Sequence, residues 1–492
     1  MDPQHDSTTS SEISSQNDKE VEEGGSNVNT EIDPEAEKKL LRKLDYTVLP
    51  ILCWLYVLTF LDRINLGNAR IAGLEASLGM SGNDYNVATC VFFVTYCIFE
   101  LPSNIVMKYV APSTWMALLA FLWGTVTVLT GIVQNYSGLI ACRIFLGLFD
   151  AGFMPGAAYL MSMYYKRHEL SIRFNTFFAA SVFAGAFGGL LAYGLTQLDG
   201  RAGLEGWRWI FIVEGLITVV TAFVAKYFVA DWPQQNRFLS AEEKALLAAR
   251  LAQDNKGAGM ERLDKKAVKR IFTDWKIPVA ICMYIPFSSN NYSLAIFIPT
   301  ILNSMGYHQT RAQVLSIPIY VAACTVCIIV AFCSDKTRHR YAYIMGGLMF
   351  SVIGFAILLA QSTSLGVQYM AIVFAACGGY TAHPLVVTWL TNNMGGRYKR
   401  SFGTGLLLGF GNAGGIIASN IFIESERPRY LVGYGVCLAV AIFSAVMSSV
   451  FIVGLRRENR KRDAGGRDYR FEFVKEELEN LGDSHPEFRF VY

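Results

Sequence analysis

Residues 113–133 read STWMALLAFLWGTVTVLTGIV, a run from Ser113 to Val133 without one charged side chain. An α-helix needs about 20 mostly apolar residues to cross the hydrocarbon core of a bilayer. This stretch by itself therefore predicts a membrane span. Outward from it, comparable stretches lie near 47–70, 86–109, 137–164, 170–197, 207–230, 277–302, 312–333, 341–361, 366–390, 401–423 and 430–454. Charge, Pro or Gly marks most of their ends, as in Ala111-Pro112-Ser113 and Gly395-Gly396-Arg397. The expected fold class is an all-α polytopic membrane protein with twelve transmembrane helices.

Composition agrees. Hydrophobic residues make up 52% of the chain and charged residues only 17%, where soluble proteins carry nearer to about 25%. The net charge of +3 gives no basis for binding nucleic acid. All ten cysteines fall in or beside apolar stretches, so no disulfide framework is expected. Cys324 and Cys327 have CxxC spacing but sit on a span with no second thiol pair, which favours packing over a metal site.

The short loops set the orientation. Lys166-Arg167, Lys336/Arg338/Arg340 and Arg397/Lys399/Arg400 all fall on one side, which the positive-inside rule makes cytoplasmic, with both termini. A long charged loop splits the spans six and six. The expected organisation is a disordered cytoplasmic tail over 1–46, a six-helix bundle over 47–230, a cytoplasmic linker over 231–276, a second six-helix bundle over 277–454 and a cytoplasmic tail over 455–492. In the linker, Ser240-Ala241-Glu242-Glu243 reads as a capping box opening an amphipathic helix. Two pseudo-symmetric bundles with a central site between them are the plan of an alternating-access transporter, although hydropathy alone also allows a channel.

Ionisable groups inside a bilayer are costly, so each marks a candidate site. The first span holds Asp62, Arg63 and Asn65; the fourth holds Arg143, Gly147 and Asp150, spaced to share one helix face. A guanidinium offers a planar fork to a carboxylate. A neighbouring acid, freed when the arginine takes an anion, can then bind a proton. The competing reading is two ion pairs that only lock helices. Glu100, before Pro102, is a further proton-carrying candidate, while Glu214 reads as structural. Asn290, Asn291 and Tyr292 in the seventh span and Asn412 in the eleventh can line a polar cavity. His383 reads as a packed residue.

Several of these stretches resemble a known family. Leu61-Asp62-Arg63-Ile64-Asn65, Phe99-Glu100-Leu101-Pro102-Ser103-Asn104, Arg143-Ile144-Phe145-Leu146-Gly147 and Gly206-Trp207-Arg208-Trp209-Ile210-Phe211 are similar to the anion:cation symporter family of the major facilitator superfamily, and within it to the fungal allantoate/nicotinate permeases. The likeness runs from about residue 40 onward, through His485-Pro486-Glu487-Phe488-Arg489-Phe490. It implies the major facilitator fold and proton-coupled uptake of carboxylate-bearing metabolites. Carried over, Arg63 and Arg143 hold the anion and Asp62 and Asp150 respond to protons. The superfamily's charged loop between spans two and three is degraded here to residues 103–112. Its second-half counterpart, Ser334-Asp335-Lys336-Thr337-Arg338-His339-Arg340, keeps its charges, so Asp335, Lys336, Arg338 and Arg340 are expected to form a gate.

The expected function is proton symport of a small organic anion such as nicotinate or allantoate. The proton gradient drives it, and no cofactor or metal is needed. Expected partners are the substrate, the proton and the bilayer, for a monomer in the plasma membrane. An efflux carrier for a secondary metabolite and a non-transporting nutrient sensor are the alternatives. No nucleophile–base pair, metal cluster or phosphate loop suggests an enzyme.

Overall fold

The computed structural model describes residues 33–107, 109–255, 265–307, 309–362, 364–474, 477–478 and 480–492. The chain divides into a short unit ending at Arg42 and a large unit from Lys43 to Tyr492. Among the described residues there is no strand.

The expectation of a disordered tail over 1–46 needs correction. Residues 34–46 belong to a helix, α1 (Pro34–Thr47), while residues 1–32 lie outside the described residues. Pro34 is tolerated in a first helical turn, and Glu35 and Glu37 place negative charge where the helix dipole favours it.

The first half comprises α2 (Leu49–Ala69), α3 (Asp84–Met107), α4 (Pro112–Thr130), α5 (Tyr136–Asp150) with α6 (Phe153–Ser162), α7 (Arg167–Thr196) and α8 (Gly206–Phe228). Two linker helices follow, α9 (Ala241–Asn255) and α10 (Lys265–Phe272). The second half comprises α11 (Lys276–Ser304), α12 (Gln309–Thr337), α13 (Arg340–Leu359), α14 (Leu365–Asn392), α15 (Arg397–Gly411) with α16 (Ala413–Ile421), and α17 (Leu431–Asp463). The packing repeats between halves. α2 lies on α7, α3 on α5 and α4 on α8; correspondingly α11 lies on α15 and α16, α12 on α14 and α13 on α17. Across the halves, α3 meets α16 and α12 meets α7, contacts that a two-fold axis interchanges.

Among the described residues, eleven helical runs are long and apolar enough to cross a bilayer. The twelfth span, α11, falls short in hydropathy because its middle is Ser288-Ser289-Asn290-Asn291-Tyr292-Ser293, and all six are buried. Other helices surround that polar stretch, so it never meets hydrocarbon. Outward faces are the reverse: Ile98, Leu101 and Ile105 on α3 and Val220, Phe223 and Tyr227 on α8 are exposed. The molecule buries polar groups and exposes apolar ones, as a lipid solvent demands.

The capping box at α9 forms as the sequence implies. Ser240 N–H donates to Glu243 Oε2 at 2.8 Å and Glu243 N–H to Ser240 Oγ at 3.2 Å. Glu243 also pairs with Lys43 at 2.7 Å. That ammonium and the Ser240 N–H hold its carboxyl below the usual range. Residues 256–264, the rest of the linker between α9 and α10, lie outside the described residues.

At the end away from the basic loops the two halves close on each other. Gly67 of α2 meets the Ile296 carbonyl of α11 so tightly that a Cβ there would collide with it. Arg70 reaches Glu424 at 2.7 Å and Glu75 at 2.7 Å. Tyr85 of α3 meets Phe297 of α11 edge to face, with centroids 6.0 Å apart. At the basic end α6, α7, α14 and α15 leave a narrow cleft of about 40 Å³, lined by Tyr159, Ser162, Phe174, Thr391, Arg400 and Thr404 among others. The expected tail over 455–492 also differs in part. α17 runs on to Asp463, and the chain then turns back to pack residues 481–492 beneath the second half.

Candidate substrate and ion site

Arg63 sits in the last third of α2, on a stretch buried from every side. It does not pair with its neighbour Asp62. Adjacent helical residues point about 100° apart, so they cannot face each other. Instead Arg63 reaches across to Asp150 at the end of α5, donating to Oδ2 from Nη2 at 2.8 Å and from Nε at 3.3 Å. Asp150 Oδ1 is buried without a hydrogen-bond partner among the described residues.

From its third nitrogen Arg63 bridges the two halves. Nη1 donates to the Tyr292 hydroxyl on α11 at 2.7 Å, and that hydroxyl donates to Asn412 Oδ1 at 2.7 Å. Asn412 Nδ2 donates to Glu100 Oε2 on α3 at 3.3 Å. Asn412 stands where α15 breaks into α16; its backbone N–H donates to the Leu408 carbonyl at 3.2 Å and its Nδ2 adds a second bond to the same oxygen at 2.9 Å. Five residues from five spans thus form one chain: Asp150, Arg63, Tyr292, Asn412 and Glu100. Rings wall the guanidinium, with the centroids of Tyr96, Phe92 and Tyr292 at 4.9, 5.5 and 5.6 Å.

The remaining sequence-chosen residues fall elsewhere. Arg143, Gly147 and Asp150 do share the buried face of α5. Yet Arg143 does not join the chain; its guanidinium lies 5.7 Å from the Phe211 centroid, with Nε and Nη2 lacking hydrogen-bond partners among the described residues. Both carboxylate oxygens of Asp62 are in the same condition, with Arg143, Asp150 and Arg63 as charged neighbours. The expected pairing is therefore crossed: the first-span arginine takes the fourth-span acid, and Asp62 and Arg143 form a second layer inside the first half. Glu214, read as structural, accepts from Asn65 in that layer.

Asn291 does not face the cluster either. One residue from Tyr292, it turns toward α14, where a Cβ on Gly379 would lie 2.6 Å from its Oδ1. Asn290 donates to the Cys437 carbonyl of α17 at 3.2 Å. His383 sits 3.2 Å from Ser288 Oγ and stacks on Tyr284 at 4.6 Å. Of the gate residues, Asp335 and Arg340 pair with each other, joining the end of α12 to the start of α13 within one half. Lys336 and Arg338 are exposed.

Sequence reading missed the aromatic content of the centre. Phe92, Phe93 and Tyr96 of α3 and Phe178 of α7 are all buried around the polar chain. Phe93 lies 4.7 Å from the Tyr292 centroid, and Phe178 is 5.4 Å from the His383 ring. The spacing of 92, 93 and 96 on one helix face was the available signal.

This architecture, two six-helix halves around a buried charged centre, is that of a secondary transporter. The profile of the Major Facilitator Superfamily matches residues 52–419, and the chain belongs to that superfamily. It is 36% identical over 472 residues to the MFS-type transporter cnsO of Penicillium expansum, covering 93% of this chain and 91% of that one. It is 32% identical over 459 residues to the high-affinity nicotinic acid transporter of Saccharomyces cerevisiae, covering 93% and 85%. Among solved structures, the proton:xylose symporter XylE bound to 6-bromo-6-deoxy-D-glucose superposes with a TM-score of 0.62 at 14% identity, over 82% of this chain and 94% of that one. The protein is a multi-pass membrane transporter for a small molecule.

Proposed function

We propose that this transporter carries a small organic anion together with a proton, by alternating access, across the plasma membrane, with its basic loops and both termini in the cytoplasm. The observation that carries the reading is Arg63, held between Asp150 in one half and Tyr292 in the other. A guanidinium buried to this degree needs a carboxylate partner, because an isolated charge in a low-dielectric interior costs several kcal/mol or more. A substrate carboxylate can replace Asp150 as that partner. Asp150 then loses its counter-charge and binds a proton, so anion and proton enter the site together. Glu100, at the far end of the same hydrogen-bonded chain, is a second proton position, and Asp62 beside Arg143 a third. Arg143 is the reserve cation of the site.

The rings of Phe92, Phe93, Tyr96 and Tyr292 suit a flat, aromatic carboxylate that stacks while its acid group meets Arg63. A relative named for nicotinic acid transport supports that class. The driving force is the proton gradient, and no cofactor takes part. Asp335 and Arg340, with Lys336 and Arg338 beside them, act at the basic end as the gate. The protein works as a monomer and catalyses no bond chemistry.

The test is uptake of labelled nicotinate and a panel of small carboxylates into cells expressing the protein, at acidic and neutral pH. Uptake that is faster at acidic pH and stopped by a protonophore supports the reading. Carboxylates leaving preloaded cells, with no uptake, would make it an efflux carrier. A surface-localised protein that moves nothing would favour a sensor.

A further inference from the structure

Four charged side chains outside the transport site are buried together beneath the second half. Asp274 and Lys276 stand at the start of α11, Lys399 in the first turn of α15, and Asp483 in the returning segment; each side chain is 6% exposed or less. Lys399 Nζ lies 2.5 Å from Asp274 Oδ2 and 2.7 Å from Asp483 Oδ1. Lys276 Nζ pairs with Asp483 and, at 3.2 Å, with Asp274, and donates to the Asn393 carbonyl at 2.9 Å. Two acids and two bases balance, so the cluster is neutral as a whole.

The segment 482–492 reaches this cluster through directional bonds to three more helices, α13, α14 and α17. Asn393 at the end of α14 exchanges two bonds with Val491, at 2.8 and 2.9 Å. Asn459 of α17 does the same with Phe490, at 2.9 and 3.0 Å. Arg340 N–H, at the start of α13, donates to the Tyr492 carbonyl at 2.8 Å. Arg462 donates to the carbonyls of Asp483 and Phe488, at 2.9 and 2.6 Å. The Phe490 ring fills the space between, 4.6 Å from Lys276 Nζ and 4.4 Å from the Arg462 guanidinium. Gly395 admits the Asp483 backbone so closely that a Cβ would collide with it.

The two helices whose basic ends Asp483 ties together are the two that present Tyr292 and Asn412. Lys276 lies on the helix of Tyr292, about 24 Å along it, and Lys399 about 20 Å from Asn412 at 1.5 Å per residue. We infer that the segment 482–492 is an internal clasp, and that Asp483 is a positioning residue which sets α11 and α15 in the register that brings Tyr292 to Asn412. A hydrogen bond of 2.7 Å tolerates little axial slip, so helices joined rigidly at one end hold that bond at the other. Neither end touches the other; the coupling runs through the helices.

The inference rests on transport through the Arg63–Tyr292 site, and its test separates the two. Full-length Asp483→Asn is compared with wild type for uptake per surface molecule, with Asp483→Glu as the conservative variant. Asp483→Asn should raise KM about tenfold, as about 1.4 kcal/mol of coupling does, with Vmax changed far less, and Asp483→Glu should recover most of it. In an Asn412→Ala background, Asp483→Asn should add little, because the bond it positions is already gone. A full and additive effect in that background, or wild-type KM in Asp483→Asn, would overturn the clasp. If Asp483→Asn is not recovered folded, the charge-balanced pair Asp483→Asn with Lys399→Met takes its place. Wild-type protein that moves no carboxylate refutes the transport reading alone. The clasp is then decided by hydrogen–deuterium exchange of the purified protein. Faster exchange reaching residues 405–415 and 288–296 supports it, and change confined to 481–492 refutes it.

Discussion

Replacing Asp150 by Asn keeps the shape of the site and removes its internal competitor for Arg63. In the wild type Arg63 makes two charge-assisted bonds to one oxygen, Oδ2, at 2.8 and 3.3 Å. Hydrogen bonds involving a charged group contribute about 1.5–3 kcal/mol, with pairs charged on both sides toward the top of that range; the Arg63 donors stay charged in the variant, and only the carboxylate's share is lost. The substitution therefore releases about 1–2 kcal/mol that a substrate carboxylate no longer has to displace, a gain of about 5- to 30-fold in affinity. The same change removes the acid that takes the proton. Asp150→Asn should bind labelled nicotinate more tightly at neutral pH, with the acid enhancement of binding flattened. It should exchange substrate across proteoliposomes yet fail to concentrate it. Equilibrium binding across pH and a paired comparison of counterflow with concentrative uptake are the assays. Weaker binding, or concentrative uptake with wild-type pH dependence, would refute the displacement of Asp150 by substrate.

Other consequences are as direct. Tyr292→Phe deletes both the acceptor for Arg63 and the donor to Asn412, leaving two buried groups unpaired at about 1–3 kcal/mol each; uptake assays should show substrate affinity down by about tenfold or more. Gly67→Val places a side chain against the Ile296 carbonyl. Such overpacking costs about 1–3 kcal/mol, so cysteines placed at the Arg70–Glu424 end should label faster in that variant. In the clasp, burial opposes ionisation, yet Lys276 and Lys399 hold Asp483 below the ordinary carboxylate range. Burial likewise opposes the charge on Lys399, but Asp483 and Asp274 raise it above the ordinary lysine range. The stability from a lowered acid is present above its unfolded value near about 4 and lost as pH falls through the folded one. That from a raised lysine is present below about 10.4 and lost as pH rises through its folded value. The melting difference between wild type and Asp483→Asn should therefore stay flat from about pH 5 to about pH 9.

Hydropathy made the spans legible, including α11, whose apolar flanks bracket its polar middle. Arg63, Asp150, Tyr292, Asn412 and Glu100 were legible one by one, because each is a polar group where lipid forbids one. Their partners were not. Asp62 next to Arg63 looks like a pair in sequence, but helical geometry sends the two side chains to different neighbours. The same rotation separates Asn291 from Tyr292. Contacts such as Arg63 with Asp150 and Tyr292 with Asn412 join different spans, and nothing local encodes which faces meet. The returning segment shows this most plainly. It has no hydrophobic period and reads as a polar tail, while its partners at Lys276 and Lys399 read as ordinary loop charges. Only the folded chain brings Asp483 between them.

The central claim is that anion and proton move together through Arg63. Purified protein in liposomes containing a pH-sensitive dye, with no imposed gradient, tests it most directly when nicotinate or another transported carboxylate is added outside. Substrate should acidify the lumen of wild-type vesicles, at a rate that follows substrate uptake, and do nothing in vesicles holding Arg63→Ala. Substrate uptake without proton entry, or proton entry that persists in Arg63→Ala, would contradict the account.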